Sequence, residues 1–165
     1  IIFSQAMKDN GAMAGGAEAL SCIPDLRYAS HKGAEPEKLS NMYKLFDLAQ
    51  RLELPMVVGT EMNIPGQRFV DDLESNDLAP LVPYLLRSAH IFYAHTVLQR
   101  SCGLGYTSAW AREQFADRTA KNAFFQEFGE TIRPGLESLL EGLPADIAPD
   151  RILKIIRKGR HLSPA

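Results

Sequence analysis

The spacing of apolar residues predicts a helix over residues 36 to 53. Pro36 suits the first helical position, and charged residues fall mostly on the side opposite the apolar ones. The apolar positions that recur at helical spacing are Leu39, Met42, Tyr43, Phe46, Ala49 and Leu52. After the break at Leu54-Pro55, the run Met56 to Val58 is apolar without alternation, which is typical of a parallel strand covered on both faces.

A second helix–strand step is predicted immediately downstream. Residues 77 to 89 have the pattern of a helix with Asp77 as its N-cap, and residues 90 to 95, "HIFYAH", are rich in β-formers. Upstream of the first step, residues 21 to 36 have room for one short strand and a long loop. The first half of the chain therefore predicts βα units.

The last third of the chain has a helical pattern. Ser108 is expected to cap a helix that runs to about residue 128 and stops at Gly129. A short helix is predicted between Pro134 and Gly142, and a final helix begins at Pro149. Its inward-facing residues are Ile152, Leu153 and Ile156.

These elements predict an α/β fold rich in helix, with a few parallel strands followed by a helical C-terminal half. The 165 residues suit a single domain over residues 1 to 165, with βα units over 1 to 107 and helices over 108 to 165. The chain begins with Ile1 and not Met, so we interpret it as the C-terminal part of a longer protein. A complete eight-fold barrel typically needs about 250 residues, so only part of one fits here.

Composition narrows the class of protein. Apolar residues make up 45% of the chain and the net charge is −2, so no basic field suggests nucleic acid or an anionic membrane as a partner. No apolar run approaches the length of a bilayer span. Cys22 and Cys102 are isolated in the sequence, and we interpret them as reduced thiols of a cytoplasmic protein.

Polar side chains follow both predicted strands. Glu61 and Asn63 come just after the first, while His95 ends the second and is followed by Gln99 and Arg100. Because parallel strands end at one edge of a sheet, Glu61, Asn63 and His95 are expected to converge there. A carboxylate beside an imidazole can ligate a metal ion or exchange protons.

Structural explanations remain open for each of these residues. Glu61 could cap the next helix or pair with an arginine, and His95 could be a neutral histidine satisfied by the backbone. The "GLGY" loop at residues 103 to 106 precedes a helix, as phosphate-binding loops do, but it lacks the preceding strand and the lysine of such motifs.

The segments "VVGTEMNIPGQRFVDD" (57 to 72) and "FYAHTVLQR" (92 to 100) resemble the C-terminal part of uncharacterised bacterial proteins related to PHP-type and amidohydrolase-like metal-dependent hydrolases. The resemblance covers about residues 20 to 110. It implies a TIM-like barrel that carries a divalent metal ion (zinc, manganese or iron) and hydrolyses a phosphoester or amide in a small-molecule substrate. The HxH pair of these families does not occur in this chain, so either such ligands are in a part of the protein absent here or the resemblance does not hold.

Within that resemblance, Glu61 and His95 are the expected metal ligands or acid–base groups, and Asn63, Gln99 and Arg100 are expected to orient the substrate. A carbohydrate isomerase on a similar barrel would use much the same residue types. A third alternative is a helical interaction domain in which residues 108 to 158 carry the function and the strands serve as scaffold. An open sheet edge would favour a homo-oligomer.

Overall fold

The computed structural model describes residues 16 to 23, 36 to 59 and 72 to 160. These residues belong to two compact units, which divide between Leu86 and Arg87. Each unit has its own cluster of buried apolar side chains.

The first unit contains a β–α–β arrangement. Strand β1 (Leu20–Cys22) and strand β2 (Met56–Val58) pair in parallel, and helix α1 (Pro36–Arg51) lies between them in the chain. The predicted helix and the parallel strand after it are confirmed, with α1 ending two residues before its expected end. The described residues thus form a helix-rich α/β fold, and their two strands do not show a TIM-like barrel.

Helix α1 ends in a turn that directs the chain into β2. Glu53 has a left-handed backbone (φ 52°), and the Leu54 amide donates to the Ala49 carbonyl at 2.9 Å. This is a Schellman-type ending with glutamate at the position that usually holds glycine. Leu54 and Ala49 are both fully buried, so the turn is closed by an apolar contact as well as by hydrogen bonds.

Among the described residues, the side chains on one face of the sheet are buried and those on the other face are exposed. Met56 is 1% exposed and belongs to the core with Phe46, whereas Val57 is 46% exposed. In β1, Ser21 is likewise exposed between buried Leu20 and Cys22. The expectation of a strand buried on both faces is therefore wrong for β2, because alternate side chains of a strand point to opposite faces and Val57 is largely exposed.

The prediction of a strand at residues 90 to 95 is wrong. A 3₁₀ turn at Ala79–Leu81 leads into helix α2 (Val82–Cys102), which includes that whole segment. Buried residues of α2 follow a helical period, so packing on one face outweighs the β-propensity of the segment. They are Ser88, Ile91, Ala94, Val97 and Leu98. Asp77 does not cap a helix: the 3₁₀ turn begins after Leu78, and the Asp77 carbonyl accepts a hydrogen bond from the Tyr43 hydroxyl.

The single helix predicted from Ser108 is two helices, α3 (Ala109–Gln114) and α4 (Arg118–Thr131). Ser108 caps α3 as expected, its hydroxyl accepting from the Ala111 amide. A second cap, Asp117, then accepts from the Ala120 amide at 2.8 Å and starts α4. The break coincides with that cap: in a continuous helix the Ala120 amide would bond to a carbonyl of the preceding turn, but here it bonds to the Asp117 side chain.

Gly129 does not end α4, which continues to Thr131. A Cβ at residue 129 would overlap the backbone carbonyl of His90, so glycine allows α4 to lie directly against the backbone of α2. Downstream, the short predicted helix is a 3₁₀ turn (Glu137–Leu140).

The final predicted helix is confirmed as α5 (Pro149–Arg160), with Ile152, Leu153 and Ile156 buried. An ion pair joins Arg157 of α5 to Glu127 of α4. The second unit is built around rings that meet largely edge to face, a geometry that aromatic pairs favour. These rings are Tyr106, Trp110, Phe115, Phe124 and Phe125.

Candidate functional site

Glu61 and Asn63, the polar residues predicted at the edge of the sheet, lie outside the described residues. The strand that leads to them is described up to Gly59. The Gly59 amide donates to the Cys22 carbonyl at 2.9 Å, so parallel pairing continues to two residues before Glu61. The chain therefore reaches Glu61 from the carboxyl end of a parallel pair, which is where βα sheets carry their ligand sites.

His95 lies within helix α2 and not at the end of a strand. The reasoning that placed it at the same sheet edge as Glu61 is therefore wrong, although its role as a ligand or acid–base group stays a prediction. The ring is half-buried, and its Nδ1 accepts a hydrogen bond from the Tyr106 backbone amide at 3.0 Å. His95 thus fits the structural explanation given above, in which the histidine side chain is satisfied by a hydrogen bond with the backbone.

The loop between α2 and α3 packs closely against His95 and Gln99. A Cβ at residue 105 would lie 2.9 Å from both His95 Nδ1 and Gln99 Cβ, so only glycine fits at that position without movement. Gly103 adopts a positive φ of 75° at the end of α2. The two glycines of "GLGY" thus serve a helix ending and a close approach, as glycines commonly do.

The other two predicted substrate-binding residues are on α2 with His95. Gln99 is one helical turn after His95, on the same side of α2, where i and i+4 side chains are neighbours. Arg100 is exposed in the last turn of α2. The structure thus brings His95 and Gln99 together at the loop.

Tyr106 connects this loop to helix α4 through a buried polar network that sequence reasoning missed. Its hydroxyl donates to Asn122 Oδ1 at 2.6 Å, and the Lys121 ammonium lies 4.1 Å from the centre of its ring. Lys121 and Asn122 are both buried. Both residues lie three or four positions before Phe125, which places them on the apolar face of α4. Polar residues at such positions in the sequence could have indicated a buried polar network.

Metal-binding groups are sparse in the described residues. Within residues 16 to 23, 36 to 59 and 72 to 160, no three histidine, cysteine, aspartate or glutamate side chains are grouped to hold a metal ion. The nearest approach is a pair, with His90 Nδ1 3.5 Å from Glu130 Oε1.

Cys22 and Cys102 form no disulfide bond with each other. Burial raises the pKa of the Cys102 thiol, partly opposed by a backbone hydrogen bond at Leu104. The thiolate is the nucleophilic form of cysteine, so a raised pKa weakens Cys102 as a nucleophile at neutral pH.

None of the helices in the described part of the chain is long and apolar enough to cross a membrane. Comparisons with protein-family models, curated proteins and solved structures find no match for this chain.

Proposed function

We propose that this chain is part of a metal-dependent hydrolase-like enzyme that acts on a phosphoester or an amide, with Glu61 as a metal ligand or acid–base group. The observation that carries the proposal is the parallel pairing of β1 and β2, which continues to Gly59. Glu61 follows two positions after Gly59 in the sequence, and in βα sheets the residues that follow the carboxyl ends of parallel strands commonly hold ligands.

Each residue in the proposal has a limited task. The Glu61 carboxylate contributes negative charge and oxygen ligands, and Asn63 contributes an amide that can orient a substrate oxygen. A bound divalent ion would supply a water molecule of lowered pKa as the nucleophile. The further ligands that such an ion needs are not grouped within the described ranges.

Metal content tests the proposal. The protein, purified without chelator or added metal, is expected to contain stoichiometric zinc, manganese or iron by elemental analysis. Glu61→Gln should lower that content at least tenfold while the melting temperature stays the same or rises, because charges in active sites are commonly held at a cost to stability.

Glu74→Gln is the matched control, because Glu74 is an exposed glutamate of the same unit. It should leave both metal content and melting temperature unchanged. Wild-type protein without metal, or a Glu61→Gln protein that keeps its metal, would contradict the proposal. If the wild-type protein contains metal, assays with activated phosphodiesters and with amides would distinguish the two proposed substrate classes.

A helical interaction domain is the second candidate. It is favoured by the self-contained core of residues 87 to 160, which includes α3, α4 and α5 and draws on no strand. In that case the purified protein lacks stoichiometric metal, and a specific partner is recovered through residues 108 to 158 in a pull-down.

A further inference from the structure

We propose that His95 is a latch residue: a neutral imidazole with its proton on Nε2, whose Nδ1 lone pair holds the loop of residues 103 to 107 against helix α2. The proposal rests on contacts within the second unit alone. It does not depend on the proposed hydrolase function.

The tautomer follows from the direction of one hydrogen bond. A backbone amide can only donate, so Nδ1 of His95, 3.0 Å from the Tyr106 nitrogen, must offer a lone pair. A neutral imidazole carries a single ring proton, which is then on Nε2. His95 therefore presents a hydrogen-bond donor at Nε2 and not a free lone pair.

The loop is built to maintain this contact. At its start, the Gly103 and Leu104 amides donate to carbonyls of the last turns of α2, at Gln99 and Leu98. At its end, Tyr106 is anchored through its hydroxyl to Asn122 and through its ring to Phe125. The His95 bond meets the backbone of Tyr106, where the loop turns towards α3.

Gly105 makes the close approach possible. Any side chain at that position would begin 2.9 Å from His95 Nδ1, which would displace either the ring or the loop. The absence of a side chain at Gly105 thus lets the loop come close enough for the Tyr106 amide to reach the ring acceptor.

The latch has a consequence for metal binding. A metal ion at Nε2 needs a lone pair there, so the ring proton would have to move to Nδ1. Nδ1–H would then face the Tyr106 N–H, donor against donor, and the loop would lose its acceptor. Metal binding at His95 and the latched loop are therefore mutually exclusive.

Nitrogen-15 NMR on the full chain tests the tautomer directly. Long-range proton–nitrogen correlations should show His95 with an unprotonated Nδ1 and a protonated Nε2, the resonances being assigned by their loss in His95→Asn. Added zinc alone should leave these signals unchanged while the Tyr106 amide remains protected. A protonated Nδ1, or zinc bound at His95 with Tyr106 still protected, would overturn the proposal.

Hydrogen exchange at the Tyr106 amide tests the latch. Asn and Leu have the same branched skeleton with equal numbers of side-chain heavy atoms, but only Asn places an acceptor near the position of Nδ1. His95→Asn should keep the exchange rate within about threefold of wild type, and His95→Leu should raise it at least tenfold. His90→Asn is the control, because His90 is on the same helix but its Nδ1 lies near Glu130 of α4, and it should change nothing at Tyr106.

Equal Tyr106 exchange in wild type, His95→Asn and His95→Leu would refute the latch. If His95→Leu fails to fold, the wild-type tautomer still decides the question: an unprotonated Nδ1 supports the proposal and a protonated Nδ1 overturns it. Neither measurement involves Glu61, so failure of the latch and failure of the hydrolase proposal are told apart.

Discussion

Two glycines in helices of the second unit show how the identity of a neighbouring atom sets the effect of one added methyl group. A Cβ at Gly129 would meet backbone atoms of His90, while a Cβ at Gly159 would meet Cδ1 of Leu139. Backbone atoms inside a packed helix cannot move aside. Leu139 is 40% exposed, and its side chain can rotate into solvent.

We therefore predict opposite results for the same substitution. Gly129→Ala should lower the free energy of unfolding by about 1–3 kcal/mol, because it forces α4 away from α2. Gly159→Ala should be neutral or raise it by up to about 1 kcal/mol, since alanine favours helix over glycine. Urea unfolding measures both. Equal losses in the two variants would contradict the close packing assigned to Gly129.

At the scale of elements, neighbouring side chains of strand β2 differ in burial and therefore in their contribution to the stability of the first unit. The apolar run Met56 to Val58 has three similar residues, yet Met56 is buried and Val57 is largely exposed. From the sequence alone, Val57→Asp is expected to unfold the domain. Because Met56 is the buried residue, we expect the unfolding effect from a charge at Met56 and not at Val57.

Met56→Asp should unfold the first unit, because an unpaired buried charge costs several kcal/mol. Val57→Asp should cost about 1 kcal/mol or less, the range that strand propensity spans at such sites. Circular dichroism melting of the two variants beside wild type gives the comparison. A Met56→Asp protein that melts like wild type would show that the covered face of β2 is misassigned.

The elements that the sequence predicted correctly are those whose signal is local. Helices α1 and α5 each begin with proline and carry apolar residues at helical spacing, and β2 follows α1 after four residues that include Leu54-Pro55. These features require no knowledge of distant residues. They were therefore available from pattern alone.

The elements that were missed depend on contacts distant in sequence. Residues 90 to 95 are β-formers, yet they are helical because α2 is packed along a face of period 3.6. Gly129 looks like a helix stop, yet it serves contact with His90. For the candidate site, His95 with Gln99 was available as an i, i+4 pair, but the acceptor role of His95 depends on Tyr106, eleven residues away.

At the scale of the whole molecule, buried apolar side chains form two separate clusters. One surrounds Phe46 of α1 and includes Met56 of β2. The other surrounds Phe125 of α4 and includes Ile152 of α5. Each unit thus has a core of its own, which is the structural basis for local stability that differs between regions.

Replacing one central ring in each cluster tests whether the cores act separately. Phe46→Ala and Phe125→Ala should each remove about 3–5 kcal/mol from their own cluster, because both side chains are almost fully buried. By hydrogen-exchange mass spectrometry, Phe46→Ala should speed exchange chiefly in α1 and β2, and Phe125→Ala chiefly in α4 and α5. The conservative changes Phe46→Leu and Phe125→Leu should give the same two patterns at smaller amplitude. If either alanine variant speeds exchange equally across both clusters, the protein unfolds as one cooperative body. That result would contradict the proposal that the second unit is a self-contained interaction domain.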